Sequence, residues 1–270
     1  YLVEYYYELK IKPESQYELF LDLISSLTPE ALEEDNGTII ARSESDLSDI
    51  EFGIVEFAKH LNIICDTQSS KLKNEDWVNK YKEAVKAVVV DNFYIYPTWE
   101  QPKSDKINII IDPALSFGSG HHETTSNCLR AIGKFVKKDD ELLDVGTGSG
   151  ILAIGASKLG ACVDICDTDD FAVEDALLNF EKNEAKVNKS WVGSATKSQK
   201  KYDVVVANIV ADVLIMIASD LKKCLKEDGI LILSGILDKH VDRVLGKYKN
   251  LEQLDLIHEN EWISIVLRNK

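Results

Sequence analysis

Along the first quarter of the chain two hydrophobic periods take turns. Tyr1 to Lys12 is strand-like: Tyr5 and Tyr7 fall on one side with Leu9 and Ile11, the period-2 pattern of a half-buried strand. Glu14 to Leu27 then carries Tyr17, Phe20, Leu21 and Ile24 at helical steps. The pattern next predicts a strand at Thr38 to Ala41 and a helix over Asp46 to Leu61, whose stripe runs through Leu47, Ile50, Ile54, Phe57, Ala58 and Leu61. A last short strand is expected at Asn62 to Cys65. Residues 1–66 therefore read as a small β-α-β-α-β domain.

Polar residues dominate from Asp66 to Asp76, so residues 67–76 are expected to form a linker and a second domain to occupy residues 77–270. That domain opens with a predicted helix over Trp77 to Ala87 and a hairpin of Ala87 to Val90 with Phe93 to Tyr96, turned at Asp91-Asn92. After Ile107 to Ile111 the two periods alternate strictly. Strands are predicted at Leu142 to Val145, Val163 to Cys166, Val204 to Ala207 and Ile230 to Leu233, and helices at Ile151 to Leu159, Phe171 to Phe180 and Ile209 to Leu225. Apolar strands separated by helices make a parallel sheet covered on both faces, a doubly wound α/β fold. The end departs from this. Only His258 to Glu261 separates Leu251–Ile257 from Trp262–Leu267, too short a connection for a crossover helix, so these two strands must pair antiparallel.

Composition leaves the picture intact, and charge adds to it. Apolar residues make up 45% and charged residues 29%, the proportions of a globular protein. No apolar run approaches the roughly 18 residues of a membrane span. The start, Tyr1-Leu2-Val3-Glu4, has no basic leader, so a cytoplasmic protein is expected. Cys65, Cys128, Cys162, Cys166 and Cys224 have no zinc-knuckle spacing and are expected to be reduced and packed, with Cys162 and Cys166 on one core face of a strand. The net charge is −15, and residues 1–66 carry 4 Lys+Arg against 15 Asp+Glu, or −11. Such a front repels a phosphate backbone and suits a Lys/Arg-rich partner, so direct nucleic-acid binding is not expected. A plain solubility charge is the alternative.

The strongest chemical signal is Asp144-Val145-Gly146-Thr147-Gly148-Ser149-Gly150, a strand running into a glycine-rich turn that opens a helix. A nicotinamide fingerprint needs a further glycine where Ile151 stands, which argues against a dehydrogenase. Asp167 ends the next strand about 20 residues beyond the turn, where a carboxylate can accept both ribose hydroxyls. Asp169 or Thr168 can cap the following helix and spare it. A second glycine-rich loop, Asp112 to Thr125, feeds a helix, and Asn208-Ile209 follows the fourth strand.

These segments resemble, in order, the signatures of the methyltransferases of the eleventh large-subunit ribosomal protein (PrmA). Asp112 to Thr125 is similar to D-P-x-x-x-F-G-x-G-x-H-x-T-T, and Asp144 onward to D-x-G-x-G-S-G-I-L-A-I. Val205 to Ala211 is similar to V-V-A-N-I-x-A, and Ile230 to Leu237 to L-I-L-S-G-I-L. Glu123 stands where the family usually has Pro, and Thr147 where Cys is common. The resemblance implies a class I methyltransferase fold, with a mostly parallel seven-stranded sheet, an antiparallel C-terminal hairpin and a small N-terminal α+β (ferredoxin-like) domain that recruits the substrate. It implies S-adenosylmethionine as methyl donor, contacted by Thr125, Gly146, Asp167 and Asn208 with Gly148 in the same turn. The implied acceptors are the N-terminal amine and lysines of a basic ribosomal protein.

Attack by a neutral amine on an activated methyl chiefly needs alignment. The Asn208 side-chain oxygen and the Ile209 carbonyl are expected to accept N–H bonds and aim the lone pair. His121 and His122 lack a third ligand and read as structural hydrogen-bonders rather than a metal site, and Trp191 reads as packing beyond the third strand. The competing functions are a methyltransferase for a small amine or RNA and a donor-binding module that docks on the ribosome without turnover.

Overall fold

The computed structural model describes residues 5–27, 32–35, 37–43, 45–73, 86–112 and 122–270. The chain divides into two compact units, Tyr1–Ala84 and Val85–Lys270. No helix among the described residues is long and apolar enough to cross a membrane.

The first unit runs β1 (Tyr5–Pro13), α1 (Tyr17–Leu27), β2 (Leu32–Asp35), β3 (Thr38–Ser43), α2 (Ser48–Leu61) and β4 (Cys65–Lys73). Its sheet has the order β2-β3-β1-β4 with every pair antiparallel, the ferredoxin-like arrangement. Leu9, Ile11, Ile39 and Ala41 turn one sheet face to Phe20 and Ile24 of α1 and Ile54 and Ala58 of α2. Two strands differ from expectation. Leu32–Asp35, with one apolar residue, is an extra edge strand, since an edge tolerates acidic residues that a central strand would not. At the other edge β4 runs through residues 67–73, expected to be linker, and pairs with β1 over its whole length. Asn62, expected in a strand, ends α2 in the left-handed conformation at φ 54°.

In the second unit β5 (Val88–Val90) and β6 (Phe93–Tyr96) form the expected hairpin, and β7 (Ile107–Ile110) pairs parallel to β6. The predicted helix Trp77–Ala87 lies, over residues 77–85, outside the described residues. The main sheet is built from β8 (Glu141–Val145), β9 (Cys162–Asp167), β10 (Val187–Val192), β11 (Tyr202–Asn208), β12 (Leu225–Leu237), β13 (Glu252–Glu259) and β14 (Trp262–Arg268). Its order is β10-β9-β8-β11-β12-β14-β13. The pairs from β10 to β12 are parallel, and β14 is antiparallel to both its neighbours, as the short C-terminal connection requires.

Alternate side chains feed two cores. Leu142, Val204, Val206 and Ile232 enter one, with α3 (Glu123–Phe135), α4 (Ile151–Lys158) and α5 (Asp170–Lys182). Leu143, Val205, Ala207 and Leu231 enter the other, which includes Leu214 and Leu221. Those two leucines belong to α6 (Ala211–Met216) and α7 (Ala218–Lys223), because the helix expected over Ile209–Leu225 is broken at Ile217. No glycine or proline marks the break. Two single residues also differ. Cys162 is exposed at the start of β9 while Cys166 is buried, and Trp191 lies within β10, packed against the second core.

Candidate active site

The strand order reverses between β8 and β11, and the helices that follow β11 pack on the other core, so a crevice opens beyond the carboxyl ends of β8, β9 and β11. A cavity of about 610 Å³ occupies it. Thr125, Gly146, Gly148, Asp167, Asn208 and Ile209, drawn from four separate stretches of sequence, all line it.

The glycine turn is tied to β9, as the N–H groups of Gly146 and Thr147 both donate to the Cys166 carbonyl, at 2.9 and 3.1 Å. Gly146 has φ 73°, a region L side chains rarely adopt. Gly148 N–H donates to Asp167 Oδ2 at 3.0 Å, and Asp169 N–H to Asp167 Oδ1 at 3.1 Å. Each carboxylate oxygen thus holds one backbone donor and keeps room for another hydrogen. Asp169 caps α5, accepting from Phe171 N–H at 3.0 Å. Beneath the turn, Asp144 is 1% exposed. Thr147 Oγ1 donates to its Oδ2 at 2.9 Å, and its Oδ1 has no hydrogen-bond partner among the described residues. Burial pushes this carboxyl up to about 7, against the Thr147 bond that lowers it.

The opposite wall comes from α3 and the turn after β11. His122 caps α3 with Nδ1, which accepts from Thr124 N–H at 3.3 Å, and its ring meets Trp262 edge-on at 4.9 Å. Its structural role is thus visible, whereas His121 lies outside the described residues. Asp112, at the head of the same loop, accepts from Thr98 N–H at 2.8 Å and Lys182 Nζ at 3.1 Å. Glu123, at the usual Pro position, accepts from Asn260 Nδ2 at 2.9 Å. The Asn208 amide nitrogen faces Thr125 Oγ1 at 3.4 Å. Neither Asn208 Oδ1 nor the Ile209 carbonyl oxygen accepts a hydrogen bond from any described residue. Two acceptors without a partner among the described residues thus belong to neighbouring residues that line one cavity.

Several lining residues were not legible as such. Trp262 and Gly235 reach the cavity because β14 and β12 lie beside β11 in the sheet, an adjacency no local motif encodes. Val210 and Met216, 64% and 73% exposed, border the cavity on α6 and the turn before it.

A sheet of this order, with a glycine turn after β8 and a carboxylate closing β9, defines a class I S-adenosylmethionine-dependent methyltransferase. A family model described as Ribosomal protein L11 methyltransferase (PrmA) matches residues 23–270. The chain belongs to that family. A ribosomal protein L11 methyltransferase of Campylobacter concisus is 48% identical over 97% of each chain. One of Nitratiruptor sp. is also 48% identical, over 98% of this chain and 96% of its own. The crystal structure of a ribosomal protein L11 methylase from Lactobacillus delbrueckii subsp. bulgaricus superposes with a TM-score of 0.64 at 31% identity, covering 69% of this chain and 100% of that one.

Proposed function

We propose that this chain transfers methyl groups from S-adenosylmethionine to the N-terminal amine and lysine side chains of ribosomal protein L11. The family and the names of its relatives support the reaction and the protein substrate. The observation that carries the mechanism is the pair of free acceptors, Asn208 Oδ1 and the Ile209 carbonyl, at a cavity that also holds Gly146, Gly148 and Asp167. When bound, the donor supplies a methyl group already activated on a sulfonium.

The chain's own residues then have three tasks. Asp167 accepts the ribose hydroxyls with the oxygen positions its two backbone donors leave open. The Gly146 to Gly148 turn and Thr125 bring backbone and hydroxyl against the rest of the donor. Asn208 Oδ1 and the Ile209 oxygen accept the two N–H bonds of a neutral amine, which aims its lone pair at the methyl carbon and limits rotation away from the line of attack. After transfer the surplus proton leaves to water, as His122 Nδ1 is already engaged by Thr124 N–H. A ribosomal-protein substrate supports a reaction in the cytoplasm, and the −11 charge on residues 1–66 favours a basic client over bare RNA.

Asn208→Ala tests this reading. It is expected to lower kcat about 100-fold, the cost of a misplaced attacking group. Donor affinity measured by calorimetry should change by less than about tenfold, the worth of one neutral hydrogen bond. Unchanged kcat would remove Asn208 from the reaction.

A further inference from the structure

The Ile209 oxygen has an unusual neighbour. The pairing of β12 with β14 breaks register between Leu233 and Ile236, a bulge that places Gly235 at φ 81°. A Cβ on Gly235 would stand 2.5 Å from the Ile209 oxygen and 2.8 Å from its carbonyl carbon. Both are backbone atoms and cannot swing aside as the end of a side chain can. Ile209 N–H donates to the Ser234 carbonyl at 3.2 Å, so the same bulge holds the residue by its other end.

On its far side Ile209 meets the glycine turn. A Cβ on Gly146 would stand 2.5 Å from Ile209 Cγ2. Ile209 is thus seated between two positions that admit no side chain, its oxygen toward Gly235 and its side chain toward Gly146. Ser234 links the bulge to α3 as well, since its Oγ donates to the Thr124 carbonyl at 3.3 Å and meets Ser264 Oγ at 2.6 Å.

We propose that Gly235 is a positioning residue for methyl transfer, seating the Ile209 carbonyl so that the turn presenting the amine and the Gly146 turn beneath the donor are interlocked through Ile209. The inference rests on the reading that the Ile209 oxygen accepts a bond from the attacking amine. Any side chain at 235 either covers that oxygen or pushes it aside, and both remove an acceptor without touching Asp167 or Thr125. Motion of the glycine turn is passed to the acceptor through one steric contact.

The test is Gly235→Ala in the full chain. The expected result is a fall in kcat of about 100-fold, the size of an ångström-scale misplacement. KM for the protein substrate and Kd for S-adenosylhomocysteine should stay within about threefold, less than an ordinary hydrogen bond is worth. Donor affinity falling in step with kcat overturns the inference, because the cavity itself would then be damaged. A crystal structure of the same variant separates the inference from the reading beneath it. Unchanged kcat with the Ile209 carbonyl displaced overturns the acceptor role of that carbonyl and the inference with it, whereas unchanged kcat with the carbonyl in place overturns only the seating by Gly235.

Should Gly235→Ala not fold, the cycle of Gly146→Ala with Ile209→Ala carries the test. Backbone strain at Gly146 is the same in both backgrounds, but Cγ2 is absent from one. Gly146→Ala should cost at least about fivefold less in kcat beside Ile209→Ala than beside Ile209. Equal cost in both overturns the interlock.

Discussion

Asp144 and Asp167 stand on adjacent strands at the same glycine turn, and their surroundings give them different properties. Asp167 lies half-buried at the cavity with both oxygens held by backbone N–H groups, a carboxylate fit to receive hydroxyls. Asp144 is sealed beneath the turn, and burial raises its carboxyl from 3.8 to about 7. The consequence for stability follows from linkage. Below about pH 4 the group is protonated in both states. Between about 4 and 7 the unfolded chain releases the proton and the folded one retains it, so stability falls with rising pH, then levels off above 7. Asp144→Asn keeps an acceptor for Thr147 and should remove this fall. Urea unfolding at pH 4.5 and 7.5 is expected to show the variant gaining on the wild type by about 3 kcal/mol between the two. A constant difference would mean that Asp144 ionises normally. At this scale sequence spacing was informative for residues at the ends of consecutive strands in one β-α-β unit, such as Gly146 and Asp167. It was silent on Gly235 and Trp262, whose place depends on which distant strands become neighbours.

Hydrophobic period is a good guide to elements whose faces differ in burial and a poor one at the edges of sheets. The five parallel-paired strands of the main sheet show this: β8, β9, β11 and β12 contain the predicted apolar runs, while β10, at the edge, carries Asn188, Lys189 and Ser190 and offers no apolar run from which to bound a third strand. The first unit repeats the lesson at both of its edges. β2 is acidic and β4 is Cys-Asp-Thr-Gln-Ser-Ser-Lys-Leu-Lys, a sequence polar enough to read as linker, yet β1 supplies it with a partner from Pro13 to Tyr5. Hydrogen exchange discriminates the two descriptions of residues 67–73. An edge strand should show amides protected at alternate positions, those facing β1, and fast exchange at the others. Uniformly fast exchange across the segment would contradict the strand. The hairpin of β13 and β14, in contrast, was fully legible, because connection length alone forces antiparallel pairing.

Two features of the whole molecule bear on function: a cavity lined by Gly146, Gly148, Asp167 and Asn208 in the second unit, and a strongly acidic stretch in residues 1–66. The first specifies the chemistry, and the second favours a client rich in lysine and arginine. Together the two are expected to methylate a ribosomal protein. The most direct measurement incubates the full chain with labelled S-adenosylmethionine and purified large-subunit ribosomal proteins, separates the products, and locates the label by mass spectrometry. Methyl groups are expected on the N-terminal amine and lysines of ribosomal protein L11, strongly reduced with Asn208→Ala. Label confined to a small amine or to RNA, or no label on any ribosomal protein while S-adenosylhomocysteine binds at the cavity, would contradict that expectation.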